Sequence, residues 1–240
     1  MKKNTCEQQI TAEKRCVIIG GADIGNYESV RGYLRDDDYA IYCDSGLKHR
    51  EGLGMTPSLI IGDFDSFEDP HMDVETITLP VAKDDTDTMY AIKEGFRRGF
   101  RDYLLLGVTG ARMDHSLVNL YALFWLDDHG CKALAVDDYS EISVISAQGN
   151  GGASAGASDD TSGRAYGGSA YVDDSYPYFS LLNMTGTARG ITIRNAKFNV
   201  TDAEITSSYQ YATSNEVLPG RTAEITIREG SLLLLKIIHA

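Results

Sequence analysis

Short apolar runs punctuate the first half of the chain, each closed by glycine, aspartate or proline. CVIIGG (16–21), AIYCD (40–44), PSLIIGD (57–63), VETITLP (74–80), YLLLG (103–107) and KALAVDD (132–138) read as buried strands. Strands covered on both faces lose the alternation of a half-exposed strand. Between some of them the period changes to that of a helix. Residues 85–99 place Met89, Ile92 and Phe96 three and four apart. Residues 114–129 carry Leu117, Leu120, Tyr121 and Phe124 on one face and further apolar side chains on the other, which predicts a well-buried helix. Strands alternating with helices predict an α/β fold, an open parallel Rossmann-like sheet with flanking helices, over residues 1–147.

The pattern then breaks. Residues 148–175 are rich in Gly, Ser, Ala and Asp with almost no aliphatic side chain, and are expected to form a flexible insertion or linker. From 176 to 240, ITIRNAKFNV, AEITIRE and SLLLLKII alternate apolar and polar residues with turns between them. They predict a smaller antiparallel β-sandwich domain.

Charge narrows the partners. The 240 residues carry a net charge of −13, which argues against nucleic acid, whose phosphates attract basic surfaces. The N-terminal segment lacks the apolar stretch of a signal peptide, and no run reaches the roughly 18 apolar residues of a membrane span. The expectation is a cytoplasmic protein. Cys6, Cys16, Cys43 and Cys131 stand far apart with no metal-binding spacing, so they read as ordinary small thiols.

Candidate chemistry gathers at the strand ends, where open parallel sheets bind their ligands. Asp44 follows AIYC, Asp63 and Asp65 follow LIIG, Asp84, Asp85 and Asp87 follow ITLPVAK, and Asp114 follows LLLGVTGAR. Asp63 and Asp65 are two apart, so in an extended chain both would face one side and repel unless a cation or proton lay between them. Each acid alone has a plain structural reading: Asp84 or Asp85 could cap the following helix, and Asp114 the next. Their recurrence at four successive sites points instead to a hard cation such as Mg2+ bridging a polyphosphate. Lys83 and Arg112 supply positive charge, and the glycines of GVTGAR allow backbone amides to face an anion. GGADIG (20–25) could act similarly but matches neither a P-loop nor GxGxxG. His115 reads as structural.

Five elements in order, CDSG (43–46), GDFDS (62–66), KDDTD (83–87), GVTGARMDH (107–115) and TSNE (213–216), resemble the thiamine pyrophosphokinase family. Ser45 and Ala111 stand where that family usually has glycine, and the insertion near 148–175 is foreign to its core. The resemblance implies ATP as co-substrate and thiamine as acceptor, with the thiamine hydroxyl attacking the β-phosphorus in line to give thiamine diphosphate and AMP. It assigns Asp63, Asp65 and Asp87 to Mg2+ and the polyphosphate, with Asp44 assisting there or orienting the nucleophile. Asp87 is a second candidate for taking the hydroxyl proton, although a metal-bound carboxylate is a poor base. Arg112 would hold phosphate oxygens with Lys83 and Thr86 nearby, and Asp114 would contact the nucleotide or orient Arg112. Ser214 and Asn215 would contact the thiamine rings, with Tyr209 and Tyr211 as further candidates. A homodimer, with the thiamine site at the subunit interface, also follows from the resemblance.

Two rival readings remain at this level. DFDSF resembles the nucleophile loop of aspartyl-phosphate phosphatases, in which the first aspartate is phosphorylated. A non-enzymatic nucleotide-binding module is the other.

Overall fold

A computed structural model of the chain describes residues 14–64, 72–80, 82, 84–110, 112–148 and 168–239. They fall into two units. The first takes the chain up to Ala122 together with Ala135–Asp138, and the second takes Leu123–Leu134 and the chain from Tyr139 onward.

In the first unit, β1 (Arg15–Ile19), β2 (Tyr39–Cys43), β3 (Leu59–Gly62), β4 (Thr76–Thr78) and β5 (Asp102–Leu106) pair in the order β4-β3-β2-β1-β5. All four pairings are parallel. β6 (Lys132–Val136) follows β5 in that order. Every residue of β1 and β3 is buried, which is why these runs show no alternation. Successive strands step outward from β1 on one side, and β5 begins the other side. The order therefore reverses between β1 and β5, the crevice where parallel sheets bind ligands.

The helices are α1 (Tyr27–Arg31), a 3-10 turn (Asp44–His49) leading into α2 (Arg50–Leu53), α3 (Asp87–Arg97) and α4 (Met113–Asp128). The cap of α3 is Thr86, whose hydroxyl accepts from the Met89 amide at 3.2 Å, not Asp84 or Asp85. Asp85 instead pairs with Lys93 at 2.7 Å. The expectation of a well-buried second helix holds only for its later turns, where Leu123 and Leu126 are fully covered. In its first turns Met113, Leu117 and Tyr121 are 68, 44 and 50% exposed. The covered positions there are the polar Ser116 and Asn119.

In the second unit, β7 (Ser140–Ser146), β13 (Ser231–Ile237) and β9 (Tyr178–Leu182) pair antiparallel in that order. β11 (Val200–Thr206), β10 (Thr187–Arg194), β12 (Thr222–Thr226) and β8 (Ser169–Asp173) form a four-stranded antiparallel sheet. Alternate residues of both sets point into one core, with Ile145, Phe179, Leu181 and Leu232 meeting Val172, Ile191, Ile193 and Ile225. Of the polar stretch, residues 149–167 lie outside the described residues. Ser169–Asp173, at its far end, form β8 because Ala170 and Val172 supply two inward positions. No described helix is long and apolar enough to cross a membrane.

Candidate active site

The loops that leave β1 and β5 lie against each other at the sheet's reversal. Gly20 N–H donates to the Leu106 carbonyl and Ala22 N–H to that of Gly107, both at 2.8 Å. A cavity of about 460 Å3 opens beside them, large enough for a nucleotide-sized ligand. Its wall includes Gly21 and Ala22 after β1, Asp44 and Ser45 after β2, Asp63 after β3, and Asp87 at the start of α3. Val108, Gly110 and Arg112 complete it from the loop after β5.

Asp44, Asp63 and Asp87 each bring a carboxylate oxygen to within 4.8 Å of the others. Two strand-end acids, Asp44 and Asp63, meet one at the N-terminus of α3, Asp87, because successive parallel strands deliver their C-termini and the helices that follow to one edge. Three hard oxygen donors fit Mg2+, which binds through carboxylates and leaves positions for phosphate oxygens. The field of the cluster is felt next door. Cys43 has its thiol pushed well up, first by burial and then by the charges of Asp87 and Asp44, so it stays an inert thiol at neutral pH.

Asp44 has φ 38° and Phe64 φ 54°. Aspartate tolerates the left-handed region, but a bulky phenylalanine there is an outlier of the kind found at functional sites. The turn at Phe64 also corrects the premise that Asp63 and Asp65 share a side through extended backbone. Asp65 itself, like Lys83 and Ala111, lies outside the described residues.

Arg112 is gripped by Asp114 through two hydrogen bonds, Nη2 to Oδ2 at 2.6 Å and Nε to Oδ1 at 3.2 Å. The pair holds the Asp114 carboxyl down at about 2 and raises Arg112. Both side chains are exposed, so the contact orients the guanidinium more than it stabilises the fold. Arg112 lines the cavity. Thr86 does too, besides capping α3.

Residues not singled out from the sequence brace these loops. Ser116 Oγ accepts from Gly110 N–H and lies 3.0 Å from the carbonyls of Gly110 and Arg112. Asn119 Nδ2 donates to the Val108 carbonyl at 2.7 Å. Their spacing of three along α4 puts both on the loop-facing side, and two small polar residues on an otherwise apolar helix were the available signal. Thr109 Oγ1 donates to Asp137 at 2.9 Å, and Asp138 accepts from the amides of Gly25 and Asn26 at 2.6 and 2.9 Å.

Ser214 and Asn215 belong to the second unit. Asn215 is 3% exposed, and its amide is engaged with backbone. Oδ1 accepts from Phe198 N–H and Glu216 N–H, both at 3.0 Å, and Nδ2 donates to the Phe198 carbonyl at 2.8 Å. Ser214 is exposed, with φ 53°, and its N–H donates to Ser180 Oγ. Tyr209 and Tyr211 are exposed and pack ring to ring at 5.1 Å.

Converging carboxylates and an oriented arginine at a switch point form the kind of site with which α/β enzymes handle phosphate groups through a metal. The sequence model described as "Thiamin pyrophosphokinase, catalytic domain" matches residues 30–135, and that described as "Thiamin pyrophosphokinase, vitamin B1 binding domain" matches 170–232. The chain belongs to the thiamin pyrophosphokinase family, whose reaction moves a pyrophosphoryl group from ATP to thiamine.

Solved structures agree on the fold. The thiamine pyrophosphokinase of Bacillus subtilis superposes with TM-score 0.76 at 18% identity, covering 95% of this chain and 100% of that one. That of Geobacillus thermodenitrificans gives 0.73 at 22%, covering 95 and 98%. The Candida albicans enzyme gives 0.68 at 12%, covering 94 and 89%. A search of curated protein sequences found no match. The phosphatase reading is not favoured: its motif belongs on the first core strand, whereas DFDSF here follows β3, and both family matches point elsewhere.

Proposed function

We propose that this chain carries out the family's transfer in the cavity at the β1/β5 reversal, giving thiamine diphosphate and AMP. The observation that carries this reading is the convergence of Asp44, Asp63 and Asp87 beside Arg112 in that cavity. Asp44, Asp63 and Asp87 would hold Mg2+, with Asp65 as a further candidate from its place in GDFDS. Bound there, the ion would neutralise charge on the polyphosphate of ATP.

The chain's own groups mainly position the reactants, since phosphoryl-type transfer leaves little covalent work to the protein. Arg112, held by Asp114, offers a planar pair of N–H groups to phosphate oxygens. Thr86, another wall residue, and Lys83, from its place in KDDTD, are proposed for the same role. Asp87, at the first position of α3, is a second candidate to accept the thiamine hydroxyl proton as AMP leaves, a role open to it only while it does not ligate the metal. Thiamine recognition falls to residues 170–232, with Ser214 and Asn215 shaping the ring site. A homodimer with thiamine bound at the subunit interface, acting in the cytoplasm, completes the reading. The functional division proposed on this reading is ATP and metal binding within residues 1–147 and thiamine binding by the part of the chain that starts with β8, from 169 onward.

The test is incubation of the full chain with ATP, Mg2+ and thiamine, quantifying AMP and thiamine diphosphate against a control without thiamine. Equal AMP and thiamine diphosphate, both absent without thiamine, is the expected result. Free phosphate without thiamine diphosphate would overturn it.

A further inference from the structure

The 3-10 turn that starts at Asp44 ends at His49, and its two ends serve the same cavity. Asp44 belongs to the acidic cluster. His49, only 1% exposed, places Nε2 2.8 Å from the carbonyl oxygen of Ala22, a cavity-wall residue, and Nδ1 2.7 Å from Tyr27 Oη. A carbonyl can only accept, so Nε2 carries the proton; in the neutral ring Nδ1 then accepts from the Tyr27 hydroxyl. The turn is registered on the β1 loop at two further points. A Cβ on Gly46 would strike the Ile19 carbonyl oxygen, and one on Gly21 would strike Ser45 Oγ. The loop is held from its other end by the two bonds to Asp138.

We propose that His49 is a positioning residue for this enzyme, locking the turn that carries Asp44 to the Gly21–Ala22 wall so that metal and nucleotide meet a preset cavity. His49 is not itself part of the cavity wall; its reach is through its neighbours. Such preorganisation lowers the ordering required when the ligand arrives. The inference rests on the cavity being the ATP site, as proposed above.

Three variants separate the bonds. His49→Leu removes both; His49→Asn can reach the Nδ1 side but leaves the Ala22 carbonyl without its donor; His49→Gln can place a carboxamide N–H where Nε2 lies. Two readouts are needed: Mn2+ binding to the full chain by electron paramagnetic resonance without nucleotide, and steady-state constants for ATP and thiamine separately. His49→Leu and His49→Asn are expected to weaken Mn2+ binding and raise KM for ATP about ten-fold, with KM for thiamine within about two-fold. His49→Gln is expected to recover most of both. Wild-type Mn2+ binding and KM for ATP in His49→Asn would overturn the proposal. So would a folded His49→Gln as impaired as His49→Asn. If His49→Leu fails to fold, the Asn and Gln pair decides alone. Because Mn2+ binding needs no thiamine, a wild-type chain that makes no thiamine diphosphate would sink the functional reading while leaving this readout intact.

Discussion

Both units tie loops down with buried, matched polar side chains, but the first also draws acids together. In the second, Asn183 and Asn215 are each 3% exposed, and each has its amide matched to backbone donors and acceptors of adjacent loops. Every such bond is complementary, so the side chains tie loops down. In the first, three carboxylates are drawn to within 4.8 Å of one another, an arrangement that favours binding a hard cation. Complementary burial marks scaffold, and convergent carboxylates mark a candidate ligand site.

Asp63→Asn should show the largest effect: a fall of about 10²–10³-fold in turnover even at saturating thiamine, with the melting temperature unchanged or raised. Full activity in this variant would erase the distinction drawn here. Asn215→Ala is the converse. Leaving the Phe198 and Glu216 amides unmatched should cost about 2–3 kcal/mol and lower the melting temperature by roughly 5–10 °C. Turnover per folded molecule should fall far less than in Asp63→Asn, as circular dichroism melts run beside the coupled assay would reveal.

Ser116→Ala tests whether scaffold bonds inside the first unit behave like those of the second. Losing the brace on Gly110 should raise KM for ATP about five-fold, roughly 1 kcal/mol, with KM for thiamine unmoved. The smallest effect concerns pH. Burial lowers the pKa of His49 below the usual histidine value, with Lys48 adding to the shift. The unfolded chain therefore takes up a proton that the folded chain refuses, so stability should fall as pH drops through about 6.5 toward the lowered folded value, and be level above it. Asp23 and Lys48 pair 2.6 Å apart beside it, and Tyr27 is the facing hydroxyl. Melts from pH 7.5 to 5.5 should show a shallower decline in His49→Gln.

Much of the first unit was legible because its signals are local. Apolar runs marked β1, β2, β3 and β5, acids just beyond β2 and β3 marked Asp44 and Asp63, and KDDTD ahead of the next helix marked Asp87. The braces were not legible: Ser116 and Asn119 turn back onto the loop before their own helix, and Asp137 and Asp138 meet the Thr109 hydroxyl and the Gly25 and Asn26 amides, which only the crossovers bring near. Phe64 shows the limit of periodicity: an extended chain was assumed from spacing two, and a left-handed residue bends it. Leu117 and Tyr121 were misplaced because an apolar residue at helical spacing says nothing about which face is covered. Asn215 was legible as part of TSNE, but its engagement with the Phe198 loop depends on β-sandwich geometry that no spacing encodes.

The contact between Ser45 and Gly21 has a consequence for anyone redesigning this enzyme. Two positions 24 residues apart share room for one side chain, so a library that varies them independently will be populated largely by colliding pairs. Swapping which of the two carries the bulk, serine or alanine at 21 with glycine at 45, is the recombination to sample. It would hand the hydroxyl-bearing wall from one loop to the other without enlarging the space between them.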